Sequence, residues 1–480
     1  MSIAKIAAIT TLFLPLQSKL KGISYMTCQK LPHIFQDKIA PKTFKITELP
    51  ADFSKQSRLL NLGKDMCYYS PATGGYGIVR VVLMAPETQA LFVSPMGCAR
   101  HGVIASYYYK ETRDRTNAYF IREEQLALGN HVDEAYSAGL EIIRDTRPKG
   151  LTFIYTCADD LLGTDFESLA EELEDETQVA VRVATMNPIR AETDRPPLVR
   201  AFETVYSYLT ADSLEEDSSR RSHEDILNIL GIYSNLDPES EIHKLLARAG
   251  YSLKHVCDYK DFESFLELKD SRLNLVMGDA ATKAALNMKS QLGIDFLRLP
   301  LTLLSESIVK NYHQLEEALG ISLDYKDIQD TEESTIKELL SSHPLEGLSM
   351  TIGSSNSYSS FELARLLVMW GAEVREIYSN AISKSDEMHL EWLKKHSPET
   401  LVLPPDARTA LMLNERKLNA DLALGLDAAY YSNAHKYVDL SFESPLYGFV
   451  GQRKLLQNIL SPKEISSSFE SLLSKSSLVV

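Results

Sequence analysis

Apolar and polar positions alternate along this chain in a repeating pattern of short apolar runs and longer amphipathic stretches. Ala90 to Val93 and Leu151 to Tyr155 are such runs, bounded by turn residues, as expected of strands buried on both faces of a parallel sheet. Ile78 to Met84 and Val179 to Ala184 read as further strands of the same unit, with a helix over His131 to Arg144 between them. Thr164-Asp165-Phe166-Glu167 fits a capping box, with Thr164 as the cap and Glu167 reaching back. The alternation then repeats. Ile226 to Tyr233 reads as a strand, Pro238 to Arg248 as a helix closed by Gly250, and Leu273 to Asp279 as a strand and turn before a helix to Leu292. After the polar stretch Tyr325 to Pro344, Leu348 to Ile352 reads as a strand. The small-residue turn Gly353 to Ser357 then leads into a helix through Trp370. Glu373 to Tyr378, Thr400 to Leu403 and Leu422 to Leu426 follow as strands. The pattern predicts an α/β protein of three Rossmann-like parallel-sheet domains. Their expected bounds are an N-terminal extension over 1–60, then 61–222, 223–345 and 346–480. Asp212 to Asp225 is the first linker, and a Ser-rich final helix begins near Ser466.

Composition changes this picture little. Of the 480 residues, 44% are hydrophobic and 24% charged, which is ordinary for a globular protein. A net charge of −16 with no long basic run excludes a nucleic-acid binder. Ile6 to Leu16 is an apolar run behind Lys5, but it is too short to span a bilayer and no small-residue cleavage site follows it. It reads as sequence upstream of a start at Met26 or as a loosely held arm, with Cys28 beside it serving no function. No membrane partner is expected. Five cysteines without regular spacing are not a secreted disulfide framework, so a reducing cytoplasm fits.

The candidate chemistry lies at two strand ends. Cys98 and Cys157 each close an apolar strand, and in open α/β sheets ligands bind beyond the carboxyl ends of the strands. Thiolates are the usual protein ligands of iron–sulfur clusters, while apolar cysteines are also common core residues. The strand-end position leaves both readings open. Cys67 precedes a turn-rich loop ending in Gly74-Gly75. No G-x-x-x-x-G-K-[ST] stretch occurs, so the chain is not expected to hydrolyse ATP. Neither H-E-x-x-H nor paired C-x-x-C occurs, which weighs against zinc. His101 reads as a hydrogen-bonded neighbour of Cys98 rather than a ligand.

Cys67, the turn Pro95-Met96-Gly97-Cys98, Glu124 to Gly129, and Thr156-Cys157 with Leu162-Gly163-Thr164-Asp165 resemble nitrogenase component 1 and its relatives. The similarity runs on through Leu273 to Gly278 and Pro445 to Phe449, nearly the whole chain. It implies that Cys67, Cys98 and Cys157 ligate an iron–sulfur cluster, either [4Fe-4S] or P-cluster-like, at a subunit interface. Departures from the family are informative. Gly278 stands where the catalytic subunit has its cofactor cysteine, and Val438 stands at the histidine ligand. His435 is near only if a loop slips, and Cys257 reads as a core thiol. No histidine occurs between His131 and His223. No molybdenum-type cofactor is therefore expected on this chain.

What the resemblance implies is a subunit of a nitrogenase-like reductase. Its electrons would come from a separate ATP-hydrolysing iron–sulfur reductase. Its other partner would be a homologous component 1 subunit or a second copy of itself. The substrate would be a small molecule other than dinitrogen. The alternative is a scaffold on which a nitrogenase-type metallocluster is assembled and handed on.

Overall fold

Among the described residues, parallel pairing of buried apolar strands builds three sheets, and a fourth sheet is an antiparallel strand pair. The computed structural model describes residues 41–49, 59–61, 75–96, 98, 114–187, 195–209, 223–354, 357–405, 413, 416–440 and 445–465. Two short strands come first, β1 (Phe44–Lys45) and β2 (Leu59–Asn61).

The first sheet comprises β3 (Thr88–Pro95), β4 (Thr116–Ile121), β5 (Gly150–Thr156) and β6 (Ala180–Met186), in the order β4-β3-β5-β6 with every pair parallel. Alternate residues of β3 enter different cores. Leu91 and Val93 join Leu151, Phe153 and Leu169, while Ala90 and Phe92 join Ile154, Phe202 and Val205. Both faces are therefore covered, which is why these strands are continuous apolar runs. Each Leu or Phe so buried contributes about 1.5–3 kcal/mol. The helices are α1 (Gly75–Val82), α2 (Glu123–Leu128), α3 (His131–Thr146), α4 (Cys157–Leu162), α5 (Phe166–Thr177) and α6 (Pro197–Tyr206).

Two local expectations change here. The run Ile78 to Met84 reads as a strand, yet Gly75–Val82 is helical. Ile78, Val79, Val81 and Val82 are all buried in one core with Phe202 and Val205 of α6, and packing on that helix overrides their β-branched preference. The cap of α5 is Asp165 rather than Thr164. Its carboxylate accepts from the Ser168 N–H at 3.0 Å and the Ser168 hydroxyl at 2.7 Å.

The second sheet comprises β7 (His223–Leu230), β8 (Ser252–His255), β9 (Ser271–Val276) and β10 (Phe296–Arg298), ordered β10-β9-β7-β8 and again parallel. Around it lie α7 (Glu241–Arg248) and α8 (Thr282–Leu292). The polar stretch after residue 325 forms a helix, α9 (Lys326–Ser342). Ile336 is buried, and Ile328, Leu339 and Leu340 pack on the same core, so one narrow apolar stripe suffices to hold it.

The third sheet contains β11 (Ser349–Ile352), β12 (Glu373–Tyr378), β14 (Leu401–Leu403), β15 (Leu422–Leu424) and β16 (Lys436–Val438), all parallel. Its order is β1-β14-β12-β11-β15-β16-β17, with β1 and β17 (Lys463–Glu464) as antiparallel edges. β13 (Ala381–Ser383) pairs with β2. Helices α10 (Ser360–Met369), α11 (Leu426–Ser432) and α12 (Gly448–Leu460) belong to this unit, as does the helix Glu387–His396. The turn Pro445 to Phe449 joins the second and third units. There the buried Glu241 carboxylate accepts from the Phe449 N–H at 2.6 Å, the Val450 N–H at 3.2 Å and the Tyr312 hydroxyl at 2.8 Å. An anion at the first turn of α12 satisfies amides that the helix leaves unpaired. Among the described residues, no helix is long and apolar enough to cross a membrane.

In each sheet the first strand has its successor on one side and a later strand on the other. The order thus reverses once, at β3/β5, β7/β9 and β11/β15. Those three points are where an open parallel sheet leaves a crevice beyond its carboxyl edge.

Candidate metal centre

At the first crevice the strands part. β3 and β5 pair from Thr88 opposite Gly150 only as far as Phe92 opposite Ile154. Beyond that point β3 continues beside β4 to Pro95, and β5 continues beside β6 to Thr156. Past Phe92 and Ile154 the two strands make no further pair with each other. Cys98 stands just past β3, and Cys157 is the first residue of α4. Both are half-buried and free of disulfides. The two side chains lie near enough for Cys157 to act electrostatically on the Cys98 thiol. The structure thus brings together two of the three cysteines singled out in the sequence. Cys67 and His101 lie outside the described residues.

Burial pushes the Cys98 thiol above its ordinary pKa, and the Cys157 thiol and Asp159 carboxylate add to the rise. The Cys98 thiol is therefore held toward its protonated form. A cation between the two thiols reverses that balance, because coordination deprotonates a thiol outright. Soft sulfur donors at a strand-end crevice fit an iron–sulfur cluster in donor chemistry and in place. Among the described residues, no group of three or more metal-ligating side chains gathers at one point. The pair is one side of a ligand set rather than a closed cage.

Beneath Cys157 lies a polar arrangement that the sequence did not suggest. Asp159, wholly buried, accepts from the Thr156 N–H at 3.4 Å through one carboxylate oxygen. Its other oxygen is 3.6 Å from His131 Nε2, at the start of α3. That nitrogen is also 3.2 Å from the Thr164 hydroxyl, and the Thr164 N–H donates to the Asp159 carbonyl at 3.0 Å. The short helix carrying Cys157 is therefore tied at both ends and to α3. Burial raises the Asp159 pKa, while the Thr156 N–H and His131 work against that rise. A hint existed in an Asp three residues after a strand-end Thr, but its histidine partner is brought in only by the fold.

Four large apolar side chains on the segments that follow these strands are exposed. Met96 is 71% exposed, Leu128 76%, Leu161 76% and Leu162 55%, and all four follow the carboxyl ends of β3, β4 and β5. Exposed apolar clusters of this kind mark surfaces that become covered.

The positions that the resemblance assigns to a molybdenum-type cofactor are closely packed. A Cβ on Gly278 would overlap the Gly231 carbonyl oxygen, and one on Gly231 would come within 2.6 Å of the Gly278 nitrogen. Val438 is buried in the main core, and His435 is exposed at the entry to β16. Among the described residues, neither Gly278 nor Val438 offers a donor atom to a molybdenum-type cofactor, and a side chain at Gly278 has no space. Cys257, expected in the core, is exposed: it lies in a single turn of 3₁₀ helix after β8, clear of the sheet faces that make up the core.

The family model described as nitrogenase component 1 type oxidoreductase matches residues 76–462. The solved structure of nitrogenase Cp1 at pH 6.5 is similar with a TM-score of 0.62 and 15% identity, over 83% of this chain and 93% of that one. Nitrogenase Cp1 at pH 5 gives 0.54 and 14%, over 87% and 96%. No curated protein matches the chain in a comparison by sequence.

Proposed function

We infer the function from the premise that this chain belongs to the nitrogenase component 1 type oxidoreductase family, whose model spans residues 76–462 of its 480. It is a subunit of a nitrogenase-like reductase that holds an iron–sulfur cluster on Cys98 and Cys157, with Cys67 as the third thiolate. The observation that carries this reading is the meeting of the Cys98 and Cys157 thiols where β3 and β5 part.

Bound there, such a cluster supplies one-electron transfer. The residues of this chain do the rest. Cys98 and Cys157 give up their thiol protons on ligation. Asp159 and His131 hold the α4 turn so that the Cys157 sulfur keeps its position. Met96, Leu128, Leu161 and Leu162 exclude water once covered, which favours a homologous component 1 subunit or a second copy seated over the crevice. The sequence has no phosphate-binding loop, which assigns ATP hydrolysis to a separate iron–sulfur reductase. The substrate is a small molecule that is hard to reduce, not dinitrogen. The setting is a reducing cytoplasm, and the domains divide at 61–222, 223–345 and 346–480.

The test is anaerobic purification with the partner subunit, followed by addition of the reductase and ATP. Steady ATP-dependent reduction of a small molecule supports the reading. Stoichiometric transfer of a cluster to another protein without turnover would assign the chain to cluster assembly instead.

A further inference from the structure

We propose that Met96 is a methionine-oxidation site that controls assembly: peroxide turns its exposed thioether into a sulfoxide, and the oxidised chain no longer takes the subunit that covers this edge of the molecule. The inference rests on the proposed function in one respect, that another subunit covers the carboxyl edge of the first sheet.

Met96 stands where three segments leave that sheet. It directly follows Pro95, the last residue of β3, which pairs with Ile121, the last residue of β4. Beyond Ile121 and Arg122, α2 begins, and it ends on Leu128. α4 packs against both β3 and β5 and ends on Leu161 and Leu162. Met96 and these three leucines are each more than half exposed. Seating a subunit over them takes a thioether and three aliphatic side chains out of water together, which is favourable.

The other methionines supply the contrast. Met277, Met288 and Met350 are buried, out of reach of an oxidant in solvent. Met369 and Met388 are exposed at 54% and 50%, but each is the only exposed large apolar side chain among the residues of its own helix. Apolar residues scattered singly over a surface are ordinary. Met96 is the most exposed of the described methionines, and it is the one placed at an edge with other exposed apolar side chains.

The chemistry needs peroxide and nothing else. A lone pair of the Met96 sulfur attacks one peroxide oxygen, the O–O bond breaks, and the second oxygen leaves as water. The sulfur loses two electrons and the peroxide gains them. The product carries a polar oxygen on a side chain that was apolar. Burying that oxygen without a donor opposes the seating of a subunit. Methionine sulfoxide reductases return the thioether, so the change is reversible. Because Met96 lies two residues before Cys98, oxidant that reaches the cysteine edge also reaches this thioether. A chain so exposed is held out of the assembly until it is repaired.

The experiment uses the full chain, isotopically labelled and prepared alone without air, together with the unlabelled assembly in which the chain is purified. The labelled chain is treated with dilute hydrogen peroxide, and its sulfoxides are located by peptide mass spectrometry. Its incorporation into the assembly is then followed by native mass spectrometry. Oxidation at Met96 should cut incorporation about tenfold or more, and methionine sulfoxide reductases A and B should restore it. Met96→Leu should incorporate normally before and after peroxide, and Met96→Gln poorly without any. The Leu variant retains Cys98 and Cys157 and so controls for thiol oxidation. Full incorporation of chain carrying Met96 sulfoxide would overturn the inference. So would an equal loss in peroxide-treated Met96→Leu, or a Met96 that stays unoxidised while Met369 and Met388 react. A chain that incorporates as predicted yet holds no iron would sink the cluster reading alone. An untreated chain that enters no assembly would overturn both the covering subunit and this inference.

Discussion

The Cys98 and Cys157 thiols lie near one another beyond the point where the parallel strands β3 and β5 stop pairing. Far apart in sequence, they are neighbours only because β3 and β5 flank the point where the strand order reverses.

Asp159 braces the helix that presents Cys157. Asp159→Ala removes the acceptor for the Thr156 N–H and the partner of His131. Leaving buried polar groups unpaired costs about 1–3 kcal/mol. The variant should melt lower, and its reconstituted iron should be lost faster to a chelator. Asp159→Asn retains an acceptor and should lose less of both. Identical chelation rates for wild type and Asp159→Ala would show that the brace does not act on Cys157.

Glu241 joins the second and third units through three hydrogen bonds. Glu241→Ala leaves the Phe449 and Val450 amides and the Tyr312 hydroxyl buried without an acceptor. A loss of at least ~3 kcal/mol is expected from such unmet groups, read as a lower midpoint in urea unfolding. Glu241→Gln should recover part of it. Equal midpoints for wild type and Glu241→Ala would remove the joint from the account.

His255 gives the fold a dependence on pH. It is fully buried, with Nε2 donating to the Ile232 carbonyl at 3.1 Å and Nδ1 accepting from the Cys257 N–H at 3.2 Å. Both bonds are made by the neutral ring. Burial holds its pKa down at about 4, with Arg80 depressing it further and the Ile232 carbonyl and Asp258 opposing. The unfolded chain, with histidine near its ordinary ~6.5, binds the proton first. The stability contributed by this neutral ring is therefore complete above pH ~6.5 and declines as pH falls toward 4. Wild type should lose more stability than His255→Gln between pH 7 and pH 5. Parallel losses would contradict the assignment.

ATP hydrolysis should be absent from the isolated chain. The sequence contains no phosphate-binding loop, and nothing else in the account supplies one. A turnover of ~1 s⁻¹, ordinary for an enzyme, in protein free of any reductase would refute the division of labour proposed here.

The strands ending at Cys98 and Cys157 were legible in the sequence because a strand buried on both faces must be a continuous apolar run. The helix over Gly75–Val82 was not, since a short β-branched run suits either form and only packing against α6 decides. The helix over Lys326–Ser342 was hidden by its polar surface, where a single stripe around Ile336 carries the packing. The His131–Asp159 pair and the Gly231–Gly278 contact were invisible for a common reason. Each depends on two positions brought together by sheet topology, and one sequence shows only the separate halves.

The most direct test is the iron and acid-labile sulfide content of anaerobically purified protein, with its EPR spectrum before and after exposure to air. The account predicts a cluster signal that air destroys, and loss of most iron and signal in both Cys98→Ala and Cys157→Ala. A wild-type chain that remains iron-free after full anaerobic reconstitution, or variants that keep wild-type iron, would contradict it.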